Sequence, residues 1–232
     1  MNMGIISTRV PSLYETVAPI LRFWNDSTWV QRRTMDGICD FTFGNPHEMP
    51  LTSYVDAVQK ALVPEHKDWF AYKQSESVAQ TVISADLSKR LGHPFEAEDI
   101  CMTNGAVAGL YITLNTIVDA GDEVIFITPH WFMYEGMIHS AGGQAVKVSI
   151  DVDTFDLDLD AIQSAISPRT RAIIINSPHN PTGKIYSRDT LSALAAMLEK
   201  AIAEYGRTIY LISDEAYNQI ILDDNEFVSP AT

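Results

Sequence analysis

The chain has 232 residues, 46% of them hydrophobic and 20% charged, with a formal net charge of -14. That composition supplies a packed core for one large domain and argues against wholesale disorder. So acidic a chain is repelled by phosphate backbones and anionic lipid, which argues against nucleic-acid and membrane-surface roles but leaves room for a local dipolar site that takes a small anion.

The two cysteines, Cys39 and Cys101, stand far apart with no CxxC or Cys/His cluster, so neither a disulfide framework nor a zinc site is expected. No apolar stretch is long enough to span a bilayer, and Met1 to Val10 shows no leader pattern. A reducing, cytoplasmic setting is the expectation.

In chain order, Leu13, Val17, Ile20 and Leu21 recur at helical spacing and predict an amphipathic arm from Pro11 to about Trp24. Asp40 to Pro50 reads as irregular around the turn Gly44-Asn45-Pro46. Helices are expected over Thr52–Leu62 and about Ser75–Leu91, the second stopped by Gly92 and Pro94. Ile100–Thr103 reads as a short strand, followed by a helix from Gly105 to about Val118. Glu123–Thr128 is a strand, and a helix runs from near Trp131 to Gly142-Gly143. Ala145–Ile150 is the next strand, and Leu159–Ile166 a short helix. Ala172–Asn176 is an apolar run of the kind buried on both faces. Ser187 caps a helix with Leu191, Leu194, Leu198 and Ile202 on one face and Gly206 after its end. Thr208–Ser213 is the last strand. The alternation predicts an α/β fold, a mostly parallel sheet with helices on both faces.

In such sheets ligands bind beyond the carboxyl ends of the strands. Four polar segments lie there. At Thr103-Asn104-Gly105-Ala106-Val107-Ala108 a strand passes straight into a helix, whose free N–H groups and dipole suit a phosphate; the same pattern also serves as a plain turn. In Pro129-His130-Trp131-Phe132-Met133-Tyr134, Trp131 can cover a flat heteroaromatic ring or pack in a core cluster, and His130 fits no metal spacing. Asn176-Ser177-Pro178-His179-Asn180-Pro181-Thr182-Gly183 is a rigid turn that either holds Asn180 against a ligand oxygen or only shapes the chain. In Ser213-Asp214-Glu215-Ala216-Tyr217, a carboxylate leaving an apolar strand needs a cation or several donors, or caps the following turn.

These four segments in this order and spacing, with Gly121 to Pro129 (GDEVIFITP) and Gly44 to Pro46 (GNP), resemble the class I/II aminotransferases of the type I pyridoxal-phosphate fold. The resemblance runs from about Asp40 onward and corresponds to the family's N-terminal and central part. It implies pyridoxal 5′-phosphate as cofactor, an amino acid and a 2-oxo acid as substrates, and a homodimer. It further implies that the N–H groups of Gly105, Ala106 and Val107 hold the phosphate and that Trp131 stacks on the ring. Asn180 and Tyr217 would bond the phenolic oxygen, and Asp214 would pair with the protonated ring nitrogen. Gly44 would lie near the substrate carboxylate. Tyr72 would reach the phosphate of a partner subunit, although Tyr72–Ser77 lacks the glycine usual there.

The same resemblance implies residues 1–45 as an arm with part of the small domain, and 46–232 as a truncated cofactor-binding large domain. The family's Schiff-base lysine follows the Asp/Tyr motif, whereas Lys60, Lys67, Lys73, Lys89, Lys147, Lys184 and Lys200 all precede Asp214. Lys184 reads as a solvated turn residue. The carboxylate-binding arginine of the small domain and strands between the first and the Asp214 strand would also be missing, so the chain is expected to be a fragment that folds poorly alone. The alternatives are a related C–S lyase or cyclopropane-forming synthase, or a non-catalytic relative that binds cofactor weakly or serves in interactions. A nucleotide-binding domain is disfavoured, since no GxGxxG or P-loop pattern occurs.

Overall fold

A computed structural model describes Ser7, residues 9–44 and residues 48–232. Asn45 and Pro46 of the expected GNP turn lie outside the described residues, as does most of the segment before Val10. The elements run α1 (Arg9–Asp26), α2 (Thr28–Arg32), α3 (Thr52–Ala61), α4 (Ser77–Leu91), α5 (Gly105–Ile117), β1 (Glu123–Thr128), α6 (Tyr134–Ser140), β2 (Gln144–Ser149), α7 (Leu159–Ala165), β3 (Thr170–Asn176), α8 (Arg188–Tyr205) and β4 (Tyr210–Asp214).

The four strands form one sheet in the order β2-β1-β3-β4, and every pairing is parallel. Successive side chains of a strand leave opposite faces, so the apolar runs of β1 and β3 build two cores at once. On one face Ile125, Ile127, Ile173 and Ile175 pack with Ile162 of α7 and Leu191, Leu194 and Leu198 of α8. On the other, Val124, Phe126, Ala172 and Ile174 pack with Leu110 and Leu114 of α5 and Tyr134, Met137 and Ile138 of α6. The expected α/β architecture with both faces covered is present.

Local chemistry sets the helix ends. The Ser187 hydroxyl accepts from the Thr190 N–H at 3.0 Å and opens α8, and Gly206 closes it in the left-handed region at φ 62°. The arm is helical as expected. It lies on α6, where a side chain at Gly136 would come within 3.1 Å of Leu13.

One expected element is absent. Ile100–Thr103 forms no strand, because its backbone is satisfied locally: the Ile100 N–H donates to the Ala97 carbonyl, the Ile100 carbonyl accepts from the Gln80 side chain at 2.5 Å, and the Thr103 carbonyl accepts from Gly105. Several boundaries shift by a few residues, two of them for visible reasons. The residues after Trp131 form a turn, so α6 starts at Tyr134, and β4 starts at Tyr210 because only from there does it find a ladder partner in β3. Lys184 also differs from expectation, being paired with Asp156 at 3.2 Å and partly buried.

Among the described residues no helix is long and apolar enough to cross a membrane, and no group of His, Cys, Asp and Glu is placed to hold a metal ion.

Candidate functional site

The carboxyl ends of β1, β3 and β4 and the start of α5 meet around one cavity of about 170 Å³, lined by Ala106, Val107, Leu110, Trp131, Asn176, Asn180, Asp214, Ala216 and Tyr217. Residues from four sequence segments thus converge, as a parallel sheet allows.

Gly105 begins α5 at φ 78°, a backbone state that side chains disfavour, and its N–H is donated to the Thr103 carbonyl at 2.8 Å. The Gly105 N–H is engaged, while those of Ala106 and Val107 have no acceptor among the described residues. No side chain caps this helix. Two open N–H groups at the positive end of a helix of 13 residues form a site that an anion satisfies.

Trp131 is half-buried, its ring edge-on to Tyr134 at 5.6 Å. Asn180 is fixed at both ends. Its backbone N–H donates to Asn176 Oδ1 at 2.6 Å, and its side-chain amide donates to the Tyr217 hydroxyl at 3.2 Å. The rigid turn therefore orients Asn180 into the cavity rather than only shaping the chain.

Asp214 ends β4, where its carbonyl accepts from Asn176 Nδ2 at 2.7 Å and from the Ser177 N–H at 3.1 Å. Its carboxylate finds a phenol instead of a cation: Tyr134 Oη donates to Oδ2 at 2.6 Å. Among the described residues the other oxygen, Oδ1, has only the Ala216 N–H at 3.4 Å. Burial first, and then the Asp214 charge, push the Tyr134 hydroxyl far above the ordinary phenol range, so it remains a donor. His130 is partly buried. Its ring lies 4.6 Å from Phe126, and burial holds its imidazole below the ordinary range.

Three expected residues, Gly105, Gly44 and Tyr72, are not among those lining this cavity. Gly44 lines an adjoining cavity with Pro178, Asn180, Tyr217, Ile220 and Leu222, which shares Asn180 and Tyr217 with the first. Tyr72 is fully exposed and lines neither. Sequence reading missed Tyr134 and Asn176. Tyr134 was hidden in an aromatic run, and Asn176 as the last residue of a strand, where its side chain cross-links β3 to β4.

The model of the family described as aminotransferase class I and II matches residues 37–231. The chain belongs to the class I and II aminotransferases. It is 28% identical over 197 residues to an aspartate/prephenate aminotransferase of Thermus thermophilus, covering 84% of this chain and 49% of that protein. With an aspartate aminotransferase of Geobacillus stearothermophilus it shares 32% identity over 189 residues, 81% of this chain and 46% of the relative. A crystal structure of an amino transferase from Eubacterium rectale superposes with a TM-score of 0.81 at 29% identity, covering 99% of this chain and 56% of that one. The chain thus spans about half the length of the aminotransferases it matches.

Proposed function

We propose that this chain is the cofactor-cradling part of a pyridoxal-phosphate-dependent aminotransferase that moves an amino group between an amino acid and a 2-oxo acid. The observation that carries the reading is the convergence of Ala106, Val107, Trp131, Asn180, Asp214 and Tyr217 on one cavity. An anion receptor, a flat aromatic cover, a hydroxyl–amide pair and a half-free carboxylate match the phosphate, ring, phenolic oxygen and ring nitrogen of pyridoxal 5′-phosphate. When bound, that cofactor supplies an electron-accepting ring for substrate carbanions.

The residues of this chain have separable tasks. Ala106 and Val107 donate N–H groups to the phosphate, and the dipole of α5 adds to the attraction. Trp131 covers one ring face and excludes water from it. Asn180 and Tyr217 donate to the phenolic oxygen and favour its anionic form. Asp214 keeps the proton on the ring nitrogen by offering it a carboxylate oxygen. Gly44, beside Asn180 in the adjoining cavity, lies near the substrate carboxylate.

The working form is a homodimer in which Tyr72 reaches the partner's phosphate. Phe41, Met49, Leu51, Phe70 and Tyr72 are all largely exposed, an apolar density that supports a covering surface over this part of the chain. Residues 46–232 form a truncated cofactor-binding large domain, residues 1–45 form the arm with part of the small domain, and the setting is cytoplasmic.

The test is a titration of the chain with pyridoxal 5′-phosphate and with pyridoxal, followed by quenching of Trp131 fluorescence against a Trp131→Phe control. Saturable quenching that is at least about tenfold tighter for the phosphorylated probe is expected from two charge-assisted hydrogen bonds. Equal affinity for the two probes would count against the phosphate cup and the reading built on it.

A further inference from the structure

The Tyr134–Asp214 hydrogen bond joins residues 80 positions apart, and at 2.6 Å it has the length of a charge-assisted contact. Its donor is almost wholly buried, with 3% of its surface exposed. Three neighbours fix the ring: Phe126 at 6.4 Å, His130 stacked at 6.5 Å with planes 23° apart, and Trp131 edge-on at 5.6 Å. One side chain therefore touches both the residue that covers the cofactor ring and the residue that meets its nitrogen.

We propose that Tyr134 is a positioning residue: it holds Asp214 through Oδ2 and leaves Oδ1 as the oxygen offered to the ring nitrogen of the cofactor. The proposal rests on the reading of the cavity as a pyridoxal-phosphate cradle. A carboxylate has room for several donors, and whichever oxygen is bound first decides what the other can do. A lysine or arginine in place of Tyr134 would fix Oδ2 equally well but would cancel the charge that must balance the pyridinium. A phenol fixes the oxygen and leaves the charge in place.

The titratable groups around Tyr134 support that division. Asp214, Tyr217 and Tyr186 act on its hydroxyl and all disfavour the phenolate. His130 lies against the ring face, with its own imidazole held below the ordinary range by burial and then by Lys147. No proton leaves Tyr134 in this arrangement. It donates a hydrogen bond and stays neutral.

The experiment compares pyridoxal 5′-phosphate with its 1-deaza analogue, which carries C–H where the ring nitrogen would be, binding to the full chain. Tyr134→Phe should weaken pyridoxal 5′-phosphate about tenfold, the effect of one charge-assisted hydrogen bond, and leave the analogue unchanged. In an Asp214→Asn background the same substitution should change either affinity by less than about twofold, because the coupled partner is gone. Equal losses for both probes, or the same loss in both backgrounds, would show a packing role only and overturn the proposal. A wild-type chain that does not distinguish the two probes overturns the cradle reading itself. A measurement without cofactor guards against a variant that fails to fold. The Tyr134 hydroxyl proton in the unliganded chain should give an exchange-protected resonance that shifts in Asp214→Asn, and an unshifted or absent resonance overturns the proposal.

Discussion

The Asn180 side-chain amide donates to the Tyr217 hydroxyl at 3.2 Å, tying the turn after β3 to the turn after β4. Behind it stands Asn176, which accepts the Asn180 N–H through Oδ1 and donates to the Asp214 carbonyl through Nδ2. Two asparagines and a tyrosine thus tie the turn that carries Asn180 to the strand end that carries Asp214.

Asn176→Ala should break this link. The Asn180 N–H and one acceptor position at Asp214 would lose their partner in a site where Asn176 is 4% exposed. A loss of about 1–3 kcal/mol is expected from leaving such groups unpaired. Urea unfolding checks the stability, and the pyridoxal 5′-phosphate titration should show weaker binding than wild type. A variant with unchanged midpoint and unchanged affinity would mean that the asparagine is dispensable.

Gly105→Ala tests the mouth of the proposed phosphate cup. No atom lies within 4 Å of a side chain built there, so crowding is not the issue. The cost comes from φ 78°, a left-handed conformation that disfavours a side chain by about 1–2 kcal/mol. Relaxing it would turn the Ala106 and Val107 N–H groups away from their common target. Affinity for pyridoxal 5′-phosphate should fall more than affinity for pyridoxal. An equal fall for both would place the effect outside the phosphate site.

Much of this was legible in the sequence. The buried strands β1 and β3 announce themselves as unbroken apolar runs, and α8 by its cap, its leucine stripe and its terminal glycine. The candidate site residues Trp131, Asn180, Asp214 and Tyr217 are recognisable because each lies at or just past a strand end. What escaped depends on partners distant in sequence. Whether Ile100–Thr103 becomes a strand is decided by a neighbouring edge, and here Gln80 and Ala97 take its backbone groups instead. Tyr134 and Asp214 are separated by 80 positions, so neither residue's neighbourhood reveals the bond.

The two histidines near the site make stability depend on pH. Burial pulls His179 below the ordinary range, followed by the charge of His130; burial and then Lys147 do the same for His130. In the unfolded chain both take up protons near the ordinary value of about 6.5. Between that value and the lower folded ones the unfolded state binds more protons, so stability rises with pH. The contribution is complete above about pH 7 and is lost as pH falls through about 6.5. Melting temperature should therefore drop between about pH 7.5 and 5.5, and His130→Phe, which can keep the contact with Phe126, should flatten that slope. A slope identical in the variant would assign the pH dependence to other groups.

Arg207→Ala addresses the opposite end of the sheet. Asp122 is 7% exposed just before β1, and Arg207, just after α8, donates to its Oδ1 at 2.5 Å. Burial pushes the Asp122 carboxyl up, but the Arg207 hydrogen bond, the Asp119 N–H and the charges of Arg207 and Arg171 outweigh it, leaving the carboxyl below its usual range. Removing Arg207 strips away the main opposing contribution and leaves a desolvated carboxylate. The expected destabilisation is about 1–3 kcal/mol at neutral pH. It should shrink as pH falls below the ordinary carboxylate range, because a neutral Asp122 no longer needs the arginine. The cavity lies at the other end of the strands, so pyridoxal 5′-phosphate affinity should remain at the wild-type value while the urea midpoint moves. If affinity and midpoint fall together, the two ends of the sheet are coupled and the pair does more than seal the base of the fold.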